Sequence, residues 1–160
     1  HQRNLKYRRG TVGEWVEGNW LEVGVTVTTL DKAFLMKEYK TYKDLNVWVS
    51  ARSLCVEIYS LTKAYPASEQ FGLTNQLRRA AISVASNIAE GHGRQYKKET
   101  LQFLHMAKGS LNELETQLLL SVDLNFAAEK EVDAVLLILE STRKQLIGFI
   151  NYLTKENNLK

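Results

Sequence analysis

Residues 101–122 read LQFLHMAKGSLNELETQLLLSV, and this stretch decides the fold. Its apolar residues return every three or four positions, at Leu101, Leu104, Ala107, Leu111, Leu114, Leu118 and Val122. An α-helix completes one turn in about 3.6 residues, so this spacing gathers them on one side of a helix. The stretch therefore predicts a long amphipathic helix, which is interrupted at Asp123-Leu124-Asn125.

Three other stretches have the same spacing, at residues 45–62, 73–88 and 132–153. Asp44 precedes the first of them and is the expected N-cap, because its carboxylate can accept the free amides of a first turn. This first helix is predicted to run to about Tyr65. Together the four stripes predict an all-α protein built from two helical hairpins.

The breaks between the stripes consist of residues that end helices. Pro66 is the only proline, and proline removes a backbone donor and clashes with the preceding turn. Gly91-His92-Gly93 ends the second stripe, since glycine adopts left-handed conformations at little cost. Four helices with short joints pack as neighbours, so we predict an antiparallel up-down-up-down four-helix bundle over residues 37–160.

The first 36 residues differ from the rest of the chain. They contain four of the nine glycines and a short alternation at Val23, Val25 and Val27, which is typical of a strand or hairpin. We expect residues 1–36 to be a poorly structured or hairpin-like N-terminal extension. Met36 is the first methionine, so we hypothesise that the native protein starts there and that a tag, an upstream translation or a mis-set start precedes it.

Composition excludes several classes of function. Cys55 is the single cysteine, so no intrachain disulfide can form, which fits a reducing cytoplasm, and its apolar neighbours suggest a buried side chain rather than a reactive thiol. No apolar run approaches the ~20 residues of a membrane span, and no signal peptide is recognisable. The three histidines have no metal-ligand spacing and no nucleotide-binding loop is present, so neither a metal nor a cofactor is predicted.

Charge is unevenly distributed along the chain. Residues 37–111 contain eleven Lys or Arg against six Asp or Glu, whereas residues 112–160 contain five against eight. An anionic partner is therefore expected on the basic half. The alternative is a solvated helix surface with uneven charge.

Arg94, Lys97 and Lys98 flank the predicted start of the third helix, where free amides and the helix dipole attract anions. This cluster is the first candidate for a nucleic-acid contact. Tyr96 within it could stack on a base or could serve packing. Lys108, three turns further on, could continue the same basic track.

Arg78 and Arg79 are the other candidates for phosphate contacts, because a guanidinium group donates paired hydrogen bonds in one plane. The alternative is an ion pair with Glu90, Glu99 or an adjacent subunit. Asn87 and Glu90 are more readily explained as helix caps or cross-links than as catalytic groups.

Three further features bear on packing and catalysis. Gly109-Ser110 is expected to mark a close helix contact, and the leucines at 119, 120 and 137 lie outside the main stripes, which leaves apolar surface for self-association. His105 with Glu99 or Glu113 could form an acid-base pair, but such pairs arise by chance on charged helices, and an RNA-processing enzyme would need cleavage that depends on His105 or His92. We therefore predict no catalytic residues and no enzyme activity.

Several separated motifs resemble a known family. They are Asp44-Leu45 and Trp48, Leu73-Thr74-Asn75-Gln76-Leu77-Arg78-Arg79-Ala80-Ala81, Ser86-Asn87-Ile88-Ala89-Glu90-Gly91, Gly93-Arg94, Ala107-Lys108-Gly109-Ser110-Leu111 and Glu113-Leu114-Glu115-Thr116-Gln117-Leu118. Their order and content resemble the bacterial four-helix bundle proteins encoded in 23S ribosomal RNA intervening sequences. The resemblance covers roughly residues 37–155.

That resemblance implies a four-helix bundle that assembles as a ring, with a pentamer as the expected form. It also implies kinship with the accessory variability protein of diversity-generating retroelements, a basic pentamer that associates with a reverse transcriptase and nucleic acid. The family supplies no catalytic residues. We therefore expect a cytoplasmic homo-oligomer that binds RNA or DNA as an accessory factor; the alternative is a protein-interaction scaffold that does not bind nucleic acid.

Overall fold

The structure is a computed structural model that describes residues 6–8, 11–16, 19–22 and 41–157. The chain divides into two compact units, with the boundary between Lys40 and Thr41. The predicted boundary after Met36 and the expected start at Met36 lie outside the described residues, as does the valine alternation at 23–27.

The N-terminal unit contains a small antiparallel sheet. Its strands are β1 (Lys6–Arg8), β2 (Thr11–Val16) and β3 (Asn19–Glu22), in the order β1-β2-β3. Lys6 pairs with Gly13 across the first two strands, and Trp15 pairs with Trp20 across the second two. The extended segments that the structure describes therefore precede the valine alternation.

The second unit is the predicted all-helical bundle. Its helices are α1 (Asn46–Leu61), α2 (Leu73–His92), α3 (Lys97–Asp123) and α4 (Glu129–Asn157). Short 3₁₀ turns at Tyr42–Asp44 and Ala67–Phe71 precede α1 and α2. Each helix packs against the next, and α4 also packs against α1. The four helices thus form a closed square, in which the α1–α2 side lies opposite the α3–α4 side.

The core consists of the predicted stripes. Side chains that are completely buried include Leu54 and Ile58 of α1, Leu77 and Ile88 of α2, Leu111 and Leu118 of α3, and Leu139 and Leu146 of α4. Each helix contributes at the three- and four-residue spacing read from the sequence. Hydrophobic burial along four such stripes is the main force that holds the bundle together.

The start of α1 differs from the prediction that Asp44 is its N-cap, and that prediction is wrong. The Asp44 carboxylate accepts a hydrogen bond from the Thr41 amide at 3.0 Å, and the Thr41 hydroxyl accepts one from the Lys43 amide at 3.2 Å. This reciprocal capping box belongs to the 3₁₀ turn. Helix α1 starts one residue later, behind Leu45, whose side chain cannot cap it.

The end of α1 also comes earlier than the expected Tyr65. The helix ends at Leu61, where the Thr62 hydroxyl donates a 2.8 Å hydrogen bond to the Ile58 carbonyl oxygen. Pro66 follows shortly afterwards, and a proline disfavours helical backbone in the residue before it, so the chain leaves the helix ahead of Pro66. The predicted turn at Pro66 is confirmed, and Pro66 directly precedes the second 3₁₀ turn.

The turn between α3 and α4 lies where the sequence indicated a break. Asn125 has a φ of 57°, the left-handed region that asparagine tolerates better than most residues. The Asn125 amide donates to the Val122 carbonyl at 2.9 Å, and the Phe126 amide donates to the Ser121 carbonyl at 2.8 Å. This pair of bonds is a Schellman motif, which satisfies carbonyl groups at the end of α3.

Gly109 is not a point of close helix contact, so that part of the prediction is wrong. A Cβ atom built on Gly109 would meet nothing within 4 Å. The neighbouring Ser110 is buried and makes the contact with α2 instead. Gly91 is the glycine that close packing requires.

Candidate nucleic-acid interface

The corner between α2 and α3 is sharp because Gly91 has no side chain. A Cβ atom at residue 91 would lie 3.0 Å from the Phe103 Cβ and 3.2 Å from the Thr100 carbonyl oxygen. The last turn of α2 therefore lies directly against the first two turns of α3. This contact positions the basic residues that follow Gly91.

Arg94 extends from this corner with two partners. Its guanidinium group pairs with the Glu90 carboxylate one turn earlier, and its Cζ lies 4.5 Å from the centre of the Phe103 ring. The side chain nevertheless keeps 40% of its surface exposed. Arg94 is thus held at the corner while its outer edge faces solvent.

Lys97 and Lys98 open α3, and both are exposed. The N-cap is Tyr96, which contributes no side-chain hydrogen bond and is 63% exposed. The Glu99 amide donates to the Tyr96 carbonyl at 3.0 Å, so capping here is by the backbone. The positive end of the helix dipole therefore faces outwards beside two lysines and an exposed aromatic ring.

Lys108 is exposed on α3, eleven residues beyond Lys97. Eleven residues are close to three complete turns, so the two lysines lie on the same face of the helix, about 16 Å apart. His105 is also exposed and lies one turn before Lys108. Half-buried Leu101 and buried Leu104 lie between the two lysines on this face. We call the four cations of the corner and this face the corner track (Arg94, Lys97, Lys98 and Lys108).

Arg78 and Arg79 do not join the corner track. Arg79 precedes Arg94 by fifteen residues, mostly within α2, or about 22 Å along the axis. The Arg78 Nε donates a 2.9 Å hydrogen bond to the Thr62 hydroxyl, and its Cζ lies 4.8 Å from the Tyr59 ring centre. Its partners are thus in and just after α1, and the expected pairing with Glu90 is taken by Arg94.

Asn87 lies on the side of α2 that faces α3. Its side-chain amide donates to the Ser83 carbonyl oxygen at 2.8 Å, and the Ser83 hydroxyl lies 2.8 Å from the Ser110 hydroxyl. The Ser110 hydroxyl is also 3.1 Å from the Met106 carbonyl oxygen. Asn87 therefore bonds within its own helix, and the polar contact between α2 and α3 is made by Ser83 and Ser110.

A groove between α1 and α2 was not predicted as a site. Its volume is about 560 Å³, and its lining includes the apolar side chains of Trp48, Val56, Tyr59 and Ile82. Cys55 also lines it, and burial raises the pKa of this thiol above the ordinary value. The signal in the sequence was the presence of apolar residues next to the core stripe, such as Val56 beside Cys55.

An ion-pair cluster on the opposite side of the bundle was also missed. Arg143 of α4 donates to the Glu115 carboxylate of α3 at 2.6 Å and to Glu140 at 2.9 Å. The hydrogen bond that Arg143 donates to Glu115 is the main cause that raises the pKa of Arg143. The cluster joins α3 to α4 and places two carboxylates on that side.

In the part of the chain that the structure describes, no three His, Cys, Asp or Glu side chains are arranged to hold a metal ion. None of the helices described is both long and apolar enough to cross a membrane.

Two comparisons place the chain among known proteins. The sequence profile of the 23S rRNA-intervening sequence protein family matches residues 43–148, which include α1 to α3 and most of α4. A solved structure from Bacteroides thetaiotaomicron, described as a protein of unknown function from the S23 ribosomal protein family, superposes with a TM-score of 0.61. The two sequences are 23% identical, and the match covers 65% of this chain and 97% of the other. No curated protein matches the chain.

Proposed function

The chain belongs to the family of 23S rRNA-intervening sequence proteins, and from this premise we propose that it binds RNA or DNA through the corner track. The proposed protein is a non-catalytic homo-oligomer of the cytoplasm that acts as an accessory factor. Its contacts are made to phosphate groups and are not specific for sequence.

The observation that supports this proposal is the geometry of the corner. Arg94, Lys97 and Lys98 surround the outward-facing start of α3, a 27-residue helix whose N-cap side chain leaves its first turn open. A phosphate at this point would meet positive side chains and the positive end of the helix dipole together. Lys108 would extend the contact to a further phosphate along the backbone.

The Glu90–Arg94 pair does not prevent phosphate binding. Both side chains are substantially exposed, at 52% and 40%. Exposed ion pairs contribute only about 0–1 kcal/mol, so exchange of a carboxylate for a phosphate costs little. The cation-π contact with Phe103 would keep the guanidinium group at the corner while it changes partners.

The single-stranded form of a nucleic acid fits the corner better than a uniform duplex. Tyr96 is 63% exposed between Arg94 and Lys97, so its ring is accessible to an unpaired base. Stacking of a base on an aromatic side chain contributes about 1–3 kcal/mol and tolerates any sequence. Structured RNA with loops offers both unpaired bases and dense phosphates.

Oligomerisation would strengthen such contacts by repetition. Each copy of the chain brings one corner track, and several linked tracks bind a long polymer with higher avidity than one. The proposed partner in the cell is a nucleic-acid enzyme, such as a reverse transcriptase. The assembly would hold the nucleic acid on which that enzyme acts.

The test compares two triple variants with the same change in charge. Arg94→Gln, Lys97→Gln and Lys98→Gln together remove the corner, whereas the control Lys43→Gln, Lys130→Gln and Lys144→Gln removes three exposed lysines elsewhere. We expect the first variant to lose most of its binding to a labelled single-stranded RNA and the control to retain it. Equal loss in both would refute a role for the corner itself.

A protein-interaction scaffold is the second candidate, and the α1–α2 groove favours it. Apolar side chains around a cavity of about 560 Å³ suit a protein surface better than a phosphate backbone. The corner variant separates the two functions when its mass is measured as well. Loss of RNA binding by an intact oligomer supports the nucleic-acid role, whereas dissociation of the subunits supports the scaffold.

A further inference from the structure

A second depression lies beside the α1–α2 groove and differs from it in chemistry. It is formed where α1 ends, the second 3₁₀ turn follows and α2 begins, and it shares Tyr59 and Ile82 with the groove. Its volume is about 320 Å³, within the range of about 300–1,000 Å³ that small-molecule pockets have. We call it the turn pocket, and its other lining residues are Gln70, Phe71, Asn75, Arg78 and Arg79.

An aromatic side chain in the turn pocket is almost uncovered. Phe71 is 87% exposed, more than any other large apolar side chain in the described part of the chain. A phenyl ring in water forgoes the hydrophobic stabilisation that a buried one receives, so packing does not account for its position. Unpaired nucleotides stack their bases on aromatic side chains of this kind. Phe71 therefore supplies a stacking surface at the pocket.

Two arginines give the turn pocket a positive charge. Arg78 is held by its 2.9 Å hydrogen bond to the Thr62 hydroxyl and by its position 4.8 Å from the Tyr59 ring centre. The bond to Thr62 uses the Nε–H group, which is one of five N–H donors on the guanidinium group. Within residues 41–157, neither Arg78 nor the exposed Arg79 forms an ion pair. Both side chains can therefore donate hydrogen bonds to the oxygens of a phosphate group.

The lining of the turn pocket contains no carboxylate. Glu69 is the acidic residue nearest to Phe71 along the chain, and its carboxylate accepts a 3.0 Å hydrogen bond from the Leu73 amide. This bond satisfies a free amide in the first turn of α2. An anion in the pocket would therefore meet two cations and no acidic side chain of the lining.

Two side-chain amides complete the turn pocket. Gln70 and Asn75 line it, and within the described residues neither side chain forms a hydrogen bond. A side-chain amide presents a donor and an acceptor next to each other. This pattern matches the N6 donor and the N7 acceptor of adenine. The pocket therefore combines groups for the face and the edge of a base with groups for a phosphate.

We propose that the turn pocket binds one adenine nucleotide. The base stacks on Phe71 and bonds to the two amides, while the phosphate group accepts hydrogen bonds from the two arginines. Arg79 is about 22 Å from Arg94 along the axis of α2, so this pocket is separate from the corner track. The inference therefore goes beyond the proposed function and does not depend on it.

Calorimetric titration of the full chain with adenosine monophosphate (AMP) tests the pocket. A titration to ~10 mM detects dissociation constants in the millimolar range. We expect AMP to bind more tightly than adenosine or inorganic phosphate, because each of these reaches only part of the pocket. Uridine monophosphate should also bind more weakly, since its base lacks the adenine edge.

Two single variants and two matched controls locate the binding. Phe71→Ala removes the stacking surface, and we expect it to weaken AMP binding at least about fivefold, whereas Phe71→Tyr should retain it. Arg79→Gln should weaken AMP binding as well. The controls are Leu137→Ala, at a leucine of α4 that is 75% exposed, and Lys130→Gln, which removes one charge from α4. Both controls should bind AMP as the wild type does, and circular dichroism checks that every variant keeps the fold.

A photoreactive azido derivative of AMP gives a positional readout that needs no variant. Mass spectrometry of the digested protein should find the label near Phe71 rather than near Tyr96. A short oligoadenylate then separates two sources of the ligand. If it displaces AMP at a lower concentration than AMP itself requires, the pocket holds a nucleotide of a strand. If it displaces AMP only at a higher concentration, the pocket holds a free nucleotide.

The corner variant Arg94→Gln, Lys97→Gln and Lys98→Gln separates this site from the corner track. We expect it to bind AMP as tightly as the wild type does. Loss of AMP binding in this variant would place the nucleotide at the corner and overturn the proposal. No binding of AMP to the wild type, equal binding of inorganic phosphate, or an unchanged affinity in Phe71→Ala would also overturn it. RNA binding by the corner track is measured on its own variants, so each site can fail without the other.

Discussion

A Cβ atom on Gly91 would lie 3.0 Å from the Cβ of Phe103, so the end of α2 and the start of α3 are in backbone-to-side-chain contact. The same Phe103 ring supports the Arg94 guanidinium group at 4.5 Å. A single glycine thus determines both how closely the two helices approach and where the basic corner lies.

Substitution of Gly91 by alanine is the most direct test of this contact. The added methyl group must displace Phe103 or the Thr100 carbonyl group, and overpacking of this kind costs about 1–3 kcal/mol. Urea denaturation measures the loss. Gly109→Ala is the matched control, because its Cβ meets nothing within 4 Å and alanine favours a helix by about 1 kcal/mol. A stable Gly91→Ala protein would contradict the packing described.

The hydroxyl pair between α2 and α3 should be energetically coupled. Ser83 and Ser110 lie 2.8 Å apart, and Ser110 is buried. In a double-mutant cycle of Ser83→Ala and Ser110→Ala, we expect a coupling free energy of roughly 1 kcal/mol. Additive free energies of unfolding would mean that the two groups do not bond.

Because Asn125 has a left-handed conformation, we predict that its glycine variant is more stable than its alanine variant, the reverse of the order usual in a helix. Asn125→Gly should retain the stability of the protein, because glycine adopts a φ of 57° without strain. Asn125→Ala should be about 1–2 kcal/mol less stable than Asn125→Gly, because the Cβ of alanine disfavours this region. Thermal unfolding of the two variants compares them, and an alanine variant as stable as the glycine variant would rule out the Schellman turn.

The sequence alone was sufficient to predict the four helices, because the spacing of apolar residues within one helix is a local pattern. Leu104, Leu111 and Leu118 are all fully buried on one face, as their spacing required. The ends of α1 were less predictable. Thr41 captures the Asp44 carboxylate for a 3₁₀ turn, so a competing side-chain contact sets the start of α1. At the other end the helix stops at Leu61, ahead of Pro66.

The candidate site was only partly predictable, because spacing along a chain does not say which neighbouring helix a charged side chain contacts. Arg94, Lys97 and Lys98 were expected together and lie together at the corner. Arg78, one of the other phosphate candidates, contacts Thr62 and Tyr59 instead. The groove depends on α1 and α2 lying side by side, which no single stripe of sequence reveals.

Buried Tyr65 predicts a loss of stability at high pH. Burial is the main cause that raises its pKa above the ordinary 10.0, so the folded protein holds this proton more tightly than the unfolded chain. The stability that the protonated Tyr65 side chain contributes is fully present below about pH 10, and it is lost as the pH rises through the pKa of the folded protein. When the pH is raised from about 8 to about 11, the urea midpoint of Tyr65→Phe should therefore fall less steeply than that of the wild type. A Tyr65→Phe curve parallel to the wild type would contradict the assignment.

The salt dependence of RNA binding tests the central claim most directly. Each phosphate neutralised on a single strand contributes about −0.7 to the slope of log affinity against log salt. If Arg94, Lys97 and Lys98 each contact one phosphate, their joint replacement by Gln should make the slope shallower by about 2 for each corner engaged. Binding that is absent at low salt in the wild type, or a slope that is unchanged in the variant, would contradict the account.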